Sequence, residues 1–365
     1  MTPPVSSDLL DLTASLVAIP SRSHHEGQLA DAVEAALRLC PWLTVDRLGD
    51  NVVGRTQLGR PSRLVLAGHL DTVPPADGND RPRLDGDTLY GLGATDMKGG
   101  LATFLHLAGT IPEPVVDVTW CFYAREEVAR SDSGLEELWQ ARPDLLQADA
   151  AILGEPTGGV VEAGCQGTMR IRVAVAGARA HTARPFTGRN AIHRLGPVLD
   201  AIAGYPSRQV VIDGCEYTEQ LQAVQIEGGV ANNVVPDQAA VMINHRFAPD
   251  RSPAEAEASV RALIAPTIEA GDSWELVEAV AGAPPSLDDP HLARLVAATG
   301  APPRAKVGWT DVASFAAHGI PAANFGPGDP LLAHTPGEHV SLGELDHAAA
   351  VLGAVLTTGV GSAGG

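Results

Sequence analysis

The stretch 63–74, RLVLAGHLDTVP, constrains the fold more than any other part of the chain. Leu64, Val65, Leu66 and Ala67 are consecutive and apolar, so a strand here is buried on both faces. Strands of that kind belong to sheets covered by helices on each side, and ligands gather in the crevice beyond their carboxyl ends. His69 and Asp71 stand at that end. An imidazole there is placed to ligate a metal, and a carboxylate two residues on is placed to hold its other ring nitrogen. A surface loop carrying an unrelated His and Asp is the alternative.

Strand and helix signals alternate around this stretch. Helical spacing predicts helices over 7–18, with Ser7 as a cap, and over 26–39. A short strand is expected at 52–57 and a loop at 74–89. Then come a helix at 101–109, a strand at 118–124, a helix near 134–140 and a strand at 150–153. This alternation predicts an α/β domain with a mostly parallel central sheet. At Gly167 the pattern changes: Met169, Ile171, Val173 and Val175 alternate with Arg170 and Arg172, the mark of a half-exposed strand. A helix at 190–203, strands at 221–227 and 238–247, a helix at 253–268 and a strand at 274–280 complete a β-α-β-β-α-β order. That order predicts a ferredoxin-like α+β domain. The expected division is therefore 1–166 and 283–365 for one domain, with 167–282 inserted; a strand at 321–325 and a C-terminal helix return to the first.

Lys and Arg total 25 against 44 Asp and Glu, a formal charge of −19. Such an acidic chain is a poor partner for nucleic acid or an anionic membrane, and an anionic ligand needs a dedicated cation. Four cysteines without a C-x-x-C pair read as buried free thiols in a reducing compartment. There is no basic-then-apolar leader pattern and no run of 18 apolar residues, so a cytoplasmic protein is expected.

Chemistry-bearing residues recur at strand ends. Glu126 and Glu127 follow VTWCFYAR, Glu155 follows AAILG, and Asp96 lies in GLGATDMKGG before a helix. The separations from His69 to Asp96, Asp96 to Glu126 and Glu127 to Glu155 are 27, 30 and 28 residues, each one strand–helix step. His334, in the loop after the 321–325 strand, completes two imidazoles and three carboxylates, the donor set of a two-metal hydrolase. Blander readings stand beside each part: a solvated acid pair at a helix start, an ordinary N-cap at Asp96, and His339 in place of His334.

GHLDTVP, GLGATDMKGG, AREE, GEPTG, HTARPFTGRNAI, GGVANNVVP and LLAHTPGEH together resemble the family of co-catalytic zinc deacylases and exopeptidases, along nearly the whole chain. The resemblance implies a zinc-exopeptidase-like catalytic domain interrupted by a dimerisation and lid domain, hence a homodimer. It implies two zinc ions, with cobalt or manganese possible at one site, and a small anionic N-acyl amino acid as substrate. By the same resemblance His69 and Glu155 bind one ion, Glu127 and His334 the other, and Asp96 bridges them, with a cis peptide after it. Asp71 orients His69, and Glu126 is the general base and acid. His181 is the oxyanion donor reaching a partner's site, or else a loop histidine. Arg246 holds a substrate carboxylate, or else sits on a solvated strand face. Asn232 and Asn233 contact substrate, or form a turn; Thr310 and Gly326 are further expected contacts.

Overall fold

The computed structural model describes residues 8–358, which fall into two compact units. The first comprises the chain to Ala163, Ser286–Arg304 and the part from Ser314 on; the second comprises Gly164–Pro285 and Ala305–Ala313.

In the first unit Arg63–His69 is a central strand, buried from Leu64 onward. It pairs in parallel with Asp117–Tyr123 on one side and Ala150–Leu153 on the other, and Ala322–Asn324 adds to the latter in parallel. Thr44–Leu48 and Asn51–Arg55 form an antiparallel edge beyond Asp117–Tyr123. Glu162–Ala163 is antiparallel beyond Ala322–Asn324, and Arg304–Ala305 completes the eight-stranded sheet. Leu64 and Leu66 join one apolar cluster with the helices Leu9–Val17, Gly27–Arg38, Gly99–Thr110, Pro290–Thr299 and Leu342–Thr357. Val65 and Ala67 alternate to the other face and are equally inaccessible. Because the strand is apolar on both faces, it takes the middle of the sheet.

The N-cap of the first helix is Asp8, whose carboxylate accepts the Leu10 N–H; the Ser7 cap falls outside the described residues. The expected loop at 74–89 contains the strands Arg83–Asp85 and Thr88–Tyr90, which pair with each other and with His339–Ser341. Gly86, with φ +58°, turns this hairpin.

The second unit is built on a four-stranded antiparallel sheet. Its spatial order is Gln220–Gly228, Gln238–Phe247, Gly167–Ala176, Ser273–Val280. In chain order this is two-three-one-four, the split ferredoxin-like arrangement, with Ala191–Ala203 and Pro253–Ile264 packed on the apolar face. Ala305–Ala313 also belongs to this unit, where the sequence reading placed all of 283–365 with the first. Its anchors are distant in sequence: the Gln166 amide donates to the Lys306 carbonyl, and Trp309 Nε1 to the Ala281 carbonyl.

A buried ion pair ties helix to sheet in this unit. Arg194 makes two hydrogen bonds to Asp272, at 2.6 and 2.8 Å, and the Ala176 and Glu269 amides donate to the same carboxylate. The Asp272 side chain has 0% exposure. Burial alone would raise its pKa, but the donors outweigh it and hold it at about 2, below the ordinary 3.8. A depressed acid contributes stability that is complete above its unfolded pKa and lost as pH falls through the folded one. Asp272 should therefore contribute fully above about pH 4 and lose its contribution toward pH 2. Arg194→Ala, which strands the carboxylate, is expected to cost about 3–5 kcal/mol at pH 7 by denaturant unfolding. A loss under 1 kcal/mol would contradict this account of the pair.

Candidate metal centre

The parallel strands deliver their carboxyl ends side by side. Arg63–His69 ends in His69, and its two neighbours lead into Glu126–Glu127 and Glu155. The next strand over, Ala322–Asn324, leads into the loop carrying His334. Close backbone approach makes this convergence possible: a Cβ on Gly326 would lie 2.4 Å from the Gly154 carbonyl and 2.6 Å from that of Glu155. Gly326 thus has a packing reason to be glycine, directly beside Glu155.

Asp96 lies in an irregular turn, Ala94–Lys98, with non-helical backbone at Asp96 and Met97 and a cis bond between them. Its carboxylate faces both imidazoles: Oδ1 is 3.1 Å from His69 Nε2, and Oδ2 is 3.3 Å from His334 Nε2. Glu155 Oε1 is 3.9 Å from His69 Nε2, and Glu127 Oε1 is 2.7 Å from His334 Nε2. The cluster thus has two lobes, His69 with Glu155 and His334 with Glu127, joined through Asp96. One ligand atom from each of His69, Asp96 and Glu127 lies within 4.8 Å of the others. His339 is elsewhere, with Nδ1 on the Gly337 carbonyl and its ring against Tyr90. Glu126 and Glu127 precede the helix Gly134–Ala141 by several residues, so they are not its first turn. Asp96 caps no helix either; Lys98 holds the N-cap position of Gly99–Thr110 without a side-chain bond.

Asp71 lies against His69 and has further partners. His69 Nδ1 lies 3.0 Å from the Asp71 main-chain carbonyl and 3.6 Å from its carboxylate. The carboxylate also accepts the Glu126 N–H at 2.9 Å, the Glu127 N–H at 3.0 Å and the Ser23 hydroxyl at 2.8 Å. It orients the strand-end glutamates, and carbonyl and carboxylate together face the His69 ring.

The electrostatics favour positive charge in this cluster. Burial opposes a charged His69, but Asp71, Asp96 and Glu155 outweigh it and lift its pKa well above the usual value. Asp96 and Glu127 push His334 up to about 10. Burial alone would raise Asp96, yet hydrogen bonds from both imidazoles hold it below the ordinary carboxylate range. Two nitrogen and three carboxylate donors aimed at common points suit a pair of borderline divalent cations.

The other expected residues lie in the second unit. Ala180–His181 pairs antiparallel with Val234–Val235, so His181 sits beside the exposed turn bearing Asn232 and Asn233. Arg246 projects opposite Ile243, His245 and Phe247, which face the core, and is half-buried. Thr310 is buried within 305–313.

Sequence reasoning missed Glu26 and Glu338, both buried around the centre. Glu338 Oε1 accepts the Thr95 and Asp96 N–H groups at 3.0 and 2.9 Å, linking the His334 loop to the Asp96 turn. Glu26 accepts the Arg125 N–H at 3.1 Å. For Glu26 the pattern Ser23-x-x-Glu26 before an apolar run signals a helix start, where Glu26 is the N-cap, but not its reach to Arg125.

Residues 65–358 match the model of peptidase family M20/M25/M40. A protein of Mycobacterium tuberculosis named putative succinyl-diaminopimelate desuccinylase DapE is 52% identical over 347 residues, 94% of this chain and 97% of its own. The succinyl-diaminopimelate desuccinylase of Corynebacterium glutamicum is 45% identical over 351 residues, 94% and 95% of the two chains. Among solved structures, a tripeptidase from Staphylococcus aureus superposes with TM-score 0.78 at 22% identity, covering 96% of this chain and 97% of its own.

Proposed function

The chain belongs to peptidase family M20/M25/M40, and on that premise we propose that it is a two-metal amide hydrolase acting on N-succinyl-LL-2,6-diaminopimelate. The products are succinate and LL-2,6-diaminopimelate, a step toward lysine and cell-wall precursors. The observation that carries the two-metal reading is Asp96, with one oxygen toward each imidazole and a further glutamate on each side. High identity to named desuccinylases across nearly the full length supports the substrate.

His69 and Glu155 would hold one ion, His334 and Glu127 the other, and Asp96 both; zinc is the proposed metal, with cobalt or manganese tolerated at one site. When bound, the ions supply Lewis acidity and bring the pKa of the attacking water toward about 7. Glu126 takes the proton from that water as its oxygen bonds to the amide carbon. It then delivers the proton to the leaving nitrogen as the C–N bond breaks. Asp71 holds the backbone of Glu126 and Glu127 in place throughout. His181 is the proposed donor to the oxyanion, and Asn232, Asn233, Thr310 and Gly326 the proposed substrate contacts. The second unit is proposed to pair with its twin in a homodimer, and all four cysteines, free and buried, suit the cytoplasm. Among the described residues no helix is long and apolar enough to cross a membrane.

Arg246 is the proposed partner of a substrate carboxylate. Its planar fork suits bidentate binding, and a chain of charge −19 needs such a cation. Arg246→Ala is expected to raise KM about 10- to 100-fold with little change in kcat. An unchanged KM in steady-state kinetics would remove Arg246 from substrate binding. Chelation is expected to abolish hydrolysis and added zinc to restore it; full activity in the metal-free protein would refute the two-metal reading.

A further inference from the structure

Three successive amides at the start of the Glu126–Glu127 segment end on buried carboxylate oxygens. The Arg125 N–H goes to Glu26 Oε1 at 3.1 Å, and the Glu126 and Glu127 N–H groups go to the two oxygens of Asp71. Arg125 has φ +61°, a left-handed conformation that costs a non-glycine residue about 1–2 kcal/mol. Something must hold it there. Its guanidinium is pinned by the Asp132 carbonyl at 2.6 Å and Glu137 Oε2 at 2.7 Å, and its amide by Glu26.

Glu26 is itself firmly placed. It is wholly buried at the N-cap position of Gly27–Arg38, and Oε1 also accepts the His24 N–H at 3.0 Å. Oε2 has no hydrogen-bond partner among the described residues. A buried carboxylate with an unsatisfied oxygen destabilises a fold, so its gain must lie elsewhere.

We propose that Glu26 is a positioning residue for the hydrolytic reaction: by holding the Arg125 amide, it fixes the turn that aims Glu126 at the attacking water and Glu127 at its metal. The inference rests on the two-metal reading of the centre. A misplacement of about 1 Å in such a turn lowers rate strongly without touching substrate affinity.

The test compares Glu26→Asp with Glu26→Gln. Asp keeps the charge but is one methylene too short to reach the Arg125 amide; Gln loses the charge but keeps an acceptor oxygen at full length. The proposal predicts that Glu26→Asp lowers kcat about 10- to 100-fold with KM within about threefold. Zinc competition against a chromophoric chelator should weaken for one of two ions by a similar factor, while Glu26→Gln stays near wild type in both readouts. The reverse order, or wild-type kcat and zinc affinities in Glu26→Asp, would overturn the role. A wild-type protein that binds no zinc and cleaves no N-succinyl-diaminopimelate would refute the underlying reading. One that does both beside an unaffected Glu26→Asp would refute the Glu26 role alone.

Discussion

Glu126→Gln is expected to lower kcat by about 10²- to 10⁴-fold while the protein still takes up two metal ions. The substitution keeps shape and the main-chain bond to Asp71, and removes only the capacity to accept and return a proton. The neighbouring glutamate is the contrast. Glu127 faces His334 at 2.7 Å, so its loss should empty one metal position as well as slow the reaction. Metal content of the purified variants, measured beside kcat, separates the two glutamates. If Glu126→Gln turned over at the wild-type rate with both metals bound, the proton would have to travel by another group.

Asp96→Ala carries the second large effect. Because its two oxygens address different imidazoles, removing them should weaken both ions together, on the order of 100-fold or more, and abolish turnover. His69→Ala and His334→Ala, each confined to one lobe, should each weaken one ion and spare most of the affinity for the other. Calorimetric zinc titration reads the difference directly. Loss of a single ion in Asp96→Ala would mean that the carboxylate serves one lobe only.

Much of this centre was legible in the chain because strand ends are local signals. An apolar run followed by His or Glu tells where the strand stops, and parallel pairing then brings neighbouring ends together without further information. The small sheet within 74–89 was also within reach, since Asp85-Gly86 is a hairpin signal between short alternating segments. The residues that hold the ligand loops were harder to read. Which partner the Asp71 carboxylate takes depends on how the 125–127 turn folds back over it, a contact spanning 55 residues. Glu338 resembles an ordinary loop acid until the Asp96 turn, 242 residues away, presents its amides. The return of 305–313 to the second unit is of the same kind, since its anchors at Cys165 and Gln166 lie far upstream. Local pattern places the candidate ligands; long-range hydrogen bonding decides what holds them.

The most direct measurement is hydrolysis of N-succinyl-LL-2,6-diaminopimelate beside N-acetylornithine, with zinc-loaded and chelated protein in parallel. Fast cleavage of the succinyl substrate alone, lost on chelation and regained with zinc, is the predicted result. Cleavage of N-acetylornithine alone would contradict the substrate assignment while leaving the metal centre intact. Cleavage of neither by protein holding two metal ions would contradict the account of it as a desuccinylase.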